Sequence, residues 1–198
     1  MTGDLDSRWL YFALVVAVAL ERILELVITR RNLRWSTPLG GLEFGRTHYG
    51  FMVALQTAFL FACPLEVFFL GRAFVPLLGW PMFALLILAM GLRYWAVTTL
   101  GRRWSTRVIV VPGMPAIVGG PFRYLRHPNY VAVIVEGFAL PLVHTAWLTA
   151  LIYQVLNAWV LSIRIGVEER ALRQHSSYDE RLGDRDRFLP KAAGQREP

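Results

Sequence analysis

Residues 119–130 read Gly119-Gly120-Pro121-Phe122-Arg123-Tyr124-Leu125-Arg126-His127-Pro128-Asn129-Tyr130, a basic, aromatic and hydrogen-bonding stretch set directly before an apolar run. An imidazole can move a proton near neutral pH, guanidiniums can fix an anion, and aromatic faces can accept a cation. Pro128 suits the first turn of a helix, where its missing N–H costs nothing. A second polar cluster, Arg164-Ile165-Gly166-Val167-Glu168-Glu169-Arg170, follows a later apolar run. If that run continues as helix, Arg164 and Glu168 lie one turn apart on the same face. The pair is then either a plain salt bridge or a divided site. In the divided site the guanidinium takes an anionic or hydroxyl-bearing ligand and the carboxylate takes a cationic amine.

The elements that must position these groups are apolar and long. Of 198 residues 55% are hydrophobic, gathered into runs that a water-soluble domain of this size does not need. Five segments predict an all-α, polytopic membrane protein: Trp9 to Thr29, Tyr49 to Leu70, Phe74 to Leu92, Pro128 to Leu142 and Ala146 to Ile163. The fourth is short for a bilayer of about 30 Å and would form a hairpin with the fifth, turning around Pro141 to His144. The first is too long and too interrupted by charge for a cleaved signal peptide. The length suits one domain, with helices in 1–99, a core in 100–190 and a frayed tail from Arg187 onward, 191–198 forming its end. Cys63 lies inside an apolar run and reads as packing, so no disulfide framework or cysteine metal site is expected. His48, His127, His144 and His175 show no metal-ligand spacing, and none of the four is assigned to a metal.

Charge supplies an orientation. All but Arg8, Arg22 and Arg72 of the 21 basic residues fall between segments one and two, between three and four, or from Arg164 onward. The positive-inside rule then puts the N-terminus outside and the C-terminus in the cytoplasm, which an odd number of spans satisfies. A nucleic-acid partner is not expected, because the arginines are split among loops with no fold to present them. Charges inside apolar runs tend to face protein or a water-filled cavity. Glu21 and Glu25 share one face and read as a stripe bonded to neighbouring helices or to Arg30, and Glu66 lies near the outer end of its segment. Glu136, nine residues after His127 and so roughly 13 Å along a helix, would line the inner wall of the pocket that motif opens.

Taken with Leu100-Gly101-x-x-Trp104-Ser105, Leu172 and Tyr178, the two polar motifs resemble the integral-membrane isoprenylcysteine carboxyl methyltransferase family, itself similar to phospholipid N-methyltransferases. The match covers about Leu100 to Pro190. Glu21-Arg22-x-x-Glu25-Leu26, Arg30-Arg31-Asn32 and Glu43-x-Gly45-x-x-His48-Tyr49 look like a bacterial branch associated with type III polyketide synthases, whose members O-methylate alkylresorcinols or alkylpyrones. The resemblance implies a bacterial inner-membrane enzyme binding S-adenosylmethionine between the loop before the fourth helix and the C-terminal helix. Carried over, His127, Pro128, Asn129 and Tyr130 would contact the cofactor, with Phe122 where the family often has tyrosine. Met114, Pro115, Ala116 and Ile117 would offer backbone groups, Glu168 and Glu169 would complete that site, and Arg164 would face the substrate. The chain departs from the family's pattern at Phe122 and at Arg181-Leu182, where a second tyrosine is usual.

The acceptor expected is lipophilic, its tail entering from membrane lipid. An ionised carboxylate or hydroxypyrone would need only Arg164, whereas a resorcinol, with an acidity near tyrosine's ~10, would need His127 or Glu136 to take its proton. An amine would be repelled by Arg164 while protonated. The order expected is therefore phenol or pyrone, then carboxylate, then phospholipid amine, with a type III polyketide synthase as functional partner. A scaffold or transporter is the rival class, but transporters bind at mid-membrane on broken helices, and here the polar motifs gather at one face.

Overall fold

The computed structural model describes residues 2–183 and 185–188; the expected tail end at 191–198 lies outside them. Five principal helices, α1 (Thr2–Ser36), α2 (Arg46–Phe69), α3 (Pro76–Leu100), α4 (Pro128–Leu142) and α5 (Trp147–His175), are followed by a short α6 (Tyr178–Leu182). Two three-residue strands, β1 (Leu42–Phe44) and β2 (Val108–Val110), pair antiparallel, with Glu43 opposite Ile109. The all-α expectation missed this ribbon. Its strands pair residues 64 (Phe44 with Val108) to 68 (Leu42 with Val110) positions apart, and each is too short to show a period of its own.

α2, α5 and the stretch Pro76–Arg103 are long and apolar enough to cross a membrane, and α4 is shorter. The outward faces carry large apolar side chains, Leu77, Phe69 and Leu10 among them, as lipid-facing surfaces require. The helices overrun the apolar segments predicted for them. α5 continues through Arg164 and Glu168 to His175, and α1 continues past Thr29 to Ser36. Pro76 and Pro128 stand in first helical turns, where proline is preorganised for the helix.

α3 packs most closely against α4, α4 against α5, and α2 against α5. One core joins Tyr11, Val15 and Val18 to Phe59, Cys63, Leu86, Leu140 and Tyr153, with the Phe59 and Tyr153 rings stacked 4.0 Å apart. Cys63 is thus a packing residue. Gly137 allows the close approach of α4 to α5: a Cβ there would stand 2.5 Å from the Tyr153 ring.

Two polar features order the bundle. At one end Ser7 Oγ lies 3.1 Å from His144 Nε2, Arg72 stacks 4.9 Å from the Trp147 ring, and Glu66 accepts the Leu148 and Thr149 N–H groups at 3.2 and 2.7 Å. Glu66 therefore caps α5, satisfying donors that have no partner within the helix.

The second feature is a buried cluster joining α1, α3 and α4. Arg22 donates to Glu25 at 2.7 Å and to Glu136 at 2.8 Å, while Arg93 donates to Glu136 through two nitrogens, one at 3.0 Å, and reaches Glu25 at 3.4 Å. One expectation is corrected here: Arg93 belongs to the α3 interior rather than to the loop after it. Of the two alternatives for the Glu21 and Glu25 stripe, the neighbouring helix holds for Glu25, which meets Arg93 of α3, while Arg22 rather than Arg30 is the partner within α1.

Candidate functional site

At the opposite end of the bundle, the C-terminal turns of α1 and α5 converge with the chain between α3 and α4. Polar residues past Ile163 keep α5 helical beyond its apolar part, bringing Arg164, Glu168 and Glu169 to that end. His127 caps α4 in a non-helical conformation, so the ring leaves the helix axis while Tyr130 remains in its first turn. Between them lies an open cleft with a volume of about 150 Å³. Met114, Pro115, Ala116, Ile117, Phe122, His127 and Glu168 line it, as do Trp104, Leu172 and Tyr178. A smaller lobe shares His127 and Glu168 and adds Asn129, Tyr130 and Arg164.

A relay spans the two lobes. The Tyr130 hydroxyl donates to Glu168 Oε2 and accepts from Arg164 Nε at 2.8 Å. Arg164 and Glu168 are thus joined through a phenol from α4. Arg164 also donates to the Thr106 carbonyl at 2.7 Å and to the Met52 sulfur at 3.4 Å. Tyr49 bonds Thr106 Oγ1 at 3.1 Å, and the Arg107 guanidinium lies 4.9 Å from the Tyr49 ring and 2.8 Å from Glu43.

Glu169, one residue on, points away from the cleft. Its Oε1 lies 3.1 Å from His127 Nε2, and Arg187 forks onto both its oxygens at 2.9 and 2.6 Å. The His127 hydrogen bond and the Arg187 guanidinium outweigh burial and hold its carboxyl at about 2, below the ordinary 4.5. With that carboxylate accepting, His127 Nε2 donates.

The chain at 185–187 buttresses the motif: Arg126 N donates to the Asp186 carbonyl at 3.0 Å and His127 N to the Arg187 carbonyl at 3.2 Å. The expectation that fraying begins at Arg187 is therefore corrected, because Arg187 is held by both its side chain and its carbonyl.

Other expectations are refined. Pro128 is fully buried and shapes the turn without lining the cleft. Glu136 lies in the α1–α3–α4 cluster with both oxygens bonded to arginines, and it borders a separate small cavity with Arg22, Arg93 and Gln56. The pocket wall expected of it is absent because Glu136 turns to Arg93 on the neighbouring helix. Two of the backbone carbonyls expected to serve a ligand are taken, Pro115 by Arg103 at 2.6 Å and Ala116 by Arg181 at 3.1 Å. Arg181-Leu182, the departure from the family's tyrosine, thus acts as a clasp: Arg181 holds Ala116 and Leu182 packs on it beside Tyr178.

Sequence reasoning missed the contribution of α1. Asn32, Leu33, Trp35 and Ser36 line the cleft, and Asn32 Nδ2 donates to the Trp104 carbonyl at 2.7 Å. The signal available was the Arg30-Arg31-Asn32 stretch, polar residues prolonging an apolar helix.

The model of the isoprenylcysteine carboxyl methyltransferase family matches residues 82–174, which include both polar motifs. Over 168 residues the chain is 32% identical to the uncharacterized protein YpbQ of Bacillus subtilis, covering 84% of this chain and 99% of that protein. An uncharacterized protein of Haemophilus influenzae is 27% identical over 164 residues, 81% of this chain and 92% of its own length.

Proposed function

The chain belongs to the isoprenylcysteine carboxyl methyltransferase family, and from that premise we propose that it moves a methyl group from S-adenosylmethionine to an oxygen of a lipophilic acceptor, an alkylresorcinol or alkylpyrone first. The relay Glu168–Tyr130–Arg164 is the observation that carries this reading. It sets an acid for a cationic donor and a guanidinium for an anionic acceptor on either side of one phenol.

The residues present fit the donor. Asn129 Oδ1 is buried without a hydrogen-bond partner on the cleft wall, a vacancy that an N–H or O–H of a ligand would fill. Glu168 opens on both lobes and would take the amine, while Trp104, Phe122 and Tyr178 give the larger lobe aromatic walls. When bound, S-adenosylmethionine supplies a methyl group already activated on a sulfonium. The protein's own residues do the rest: His127, held by Glu169 and Arg187, shapes the floor, Tyr130 keeps Glu168 and Arg164 apart, and Arg164 orients the acceptor oxygen.

Five spans with the N-terminus outside would put this cleft at the cytoplasmic surface, where a soluble donor and a bilayer-borne acceptor meet. A phenolic acceptor with a long tail requires a condensing enzyme upstream, the chemistry of a type III polyketide synthase, which we propose as the functional partner.

Methyl transfer from labelled donor to an alkylresorcinol, an alkylpyrone and a farnesylated cysteine analogue tests the reading in wild type and Arg164→Lys. Lysine keeps the charge but loses the planar fork, so turnover should fall about 100-fold or more with S-adenosylhomocysteine affinity unchanged. Near-wild-type turnover in the lysine variant would remove Arg164 from the acceptor site. Activity on the farnesylated cysteine alone would make the acceptor a carboxylate.

A further inference from the structure

We propose that Arg103 binds the carboxylate of the methyl donor, an assignment that rests on the S-adenosylmethionine reading above. That donor carries an amine, a sulfonium and a carboxylate, and Glu168 answers the amine. The carboxylate still needs a cation. Among the described residues the two lobes of the cleft are lined by Arg102, Arg103, Arg107, Arg126 and Arg164 against one acid, Glu168. A wall with that excess of guanidinium calls for an anion from the ligand.

Four of these arginines are set aside by their partners or their position. Arg164 holds the Tyr130 hydroxyl and the Thr106 carbonyl and is assigned to the acceptor. Arg107 is paired with Glu43 at 2.8 Å. Arg126 gives Nε to the Arg185 carbonyl at 2.5 Å and lies 3.8 Å from Glu169, the supporting carboxylate behind the cleft. Arg102 borders the larger lobe only. Arg103 borders both lobes, as Glu168 does, and its bond among the described residues is to a carbonyl, not to an acid. The amine and carboxylate of the donor hang on one carbon, so the groups that bind them must border the same space.

The local fold presents Arg103 in place. α3 gives way at Gly101, whose φ of 55° suits glycine, to a tight turn over Gly101–Arg103, and the Trp104 N–H closes that turn on the Gly101 carbonyl at 3.1 Å. Asn32 of α1 donates to the carbonyls of Gly101 and Trp104, at 3.1 and 2.7 Å, so the backbone is fixed on both sides of Arg103. The side chain reaches the loop that holds Pro115, where Nη1 donates to the Pro115 carbonyl at 2.6 Å. That bond spends one terminal nitrogen and leaves the edge formed by Nε and Nη2, which matches the two oxygens of a carboxylate. Arg103 is exposed, as the entry of a soluble ligand from water requires. The amino-acid end of the donor is thus held from α5 by Glu168 and from the turn after α3 by Arg103.

The test titrates the full-length protein in detergent, by calorimetry, with S-adenosylhomocysteine and with its decarboxylated analogue, two probes that differ only in the carboxylate. Wild type should bind the analogue about 10-fold or more weakly, as the loss of a charge-assisted hydrogen bond predicts. Arg103→Met should bind S-adenosylhomocysteine as weakly as wild type binds the analogue, and should lose nothing further on the analogue itself. Arg103→Gln keeps an N–H for the Pro115 carbonyl but no charge; it should behave in the same way, and it replaces the methionine variant if that one does not fold. Equal weakening of both probes in Arg103→Gln would mean that the residue only shapes the loop, and overturns the assignment. Arg102→Met should keep the full discrimination between the probes, and its loss there moves the carboxylate to Arg102. A wild type that binds both probes equally overturns Arg103 alone. A wild type that binds neither overturns the donor reading, and Arg103 with it.

Discussion

Glu168 and Glu169 are neighbours in sequence and face opposite ways, Glu168 into the cleft and Glu169 behind it onto His127 and Arg187. The pattern Glu-Glu marks both as polar, but only helix rotation assigns one to a ligand and the other to support. Glu169 makes a pH prediction. Its folded carboxyl sits at about 2, against 4.5 unfolded, so its contribution to stability is fully present above pH 4.5. It is lost as pH falls through about 2. Thermal melts in detergent between pH 6 and 3 should show wild type losing Tm below pH 4.5 and Glu169→Gln losing less. Parallel curves would mean that the fork from Arg187 does not stabilise the fold.

At the scale of elements, the buried cluster decides how α1 meets the rest of the bundle. Three carboxylates and two guanidiniums within apolar helices would be costly if unpaired, and pairing across α1, α3 and α4 fixes their register. Arg93→Ala leaves Glu136 and Glu25 short of a partner and should destabilise the protein by about 3–5 kcal/mol, read as a lower Tm and lower detergent-resistant yield. Replacing both members, Arg93→Met with Glu136→Leu, should recover part of that loss, since no buried charge of that pair is then left alone. If the single variant melts like wild type, the cluster does not hold α1. The charges were legible in the apolar segments; their partners on other helices were not, because those pairs join residues 43 to 114 positions apart.

Across the whole molecule, helix packing gathers Ser7, Arg72 and His144 at one end and Arg107, Arg126 and Arg164 at the other. The orientation we propose from the charge bias puts the first end outside and the second in the cytoplasm. In a Cys63→Ser background, a cysteine at Arg72 should react with an impermeant thiol reagent on intact cells, and one at Arg107 only after permeabilisation. Labelling at Arg107 but not at Arg72 would invert the orientation and with it the side on which a soluble donor is met.

Local composition determined the apolar helices, the proline-led first turn of α4 and the two motifs that form the cleft, since each depends on residues close in the chain. The family was legible for the same reason: its motifs are short and their order is linear. The tertiary structure alone decided that Tyr130 stands between Arg164 and Glu168 and that Glu136 is an ion-pair residue. It also decided that the last turn of α1 forms a wall of the cleft. Those outcomes depend on how helices rotate against one another. A helix's own periodicity says which residues share a face, but packing on α2, α4 and α5 chooses what that face meets.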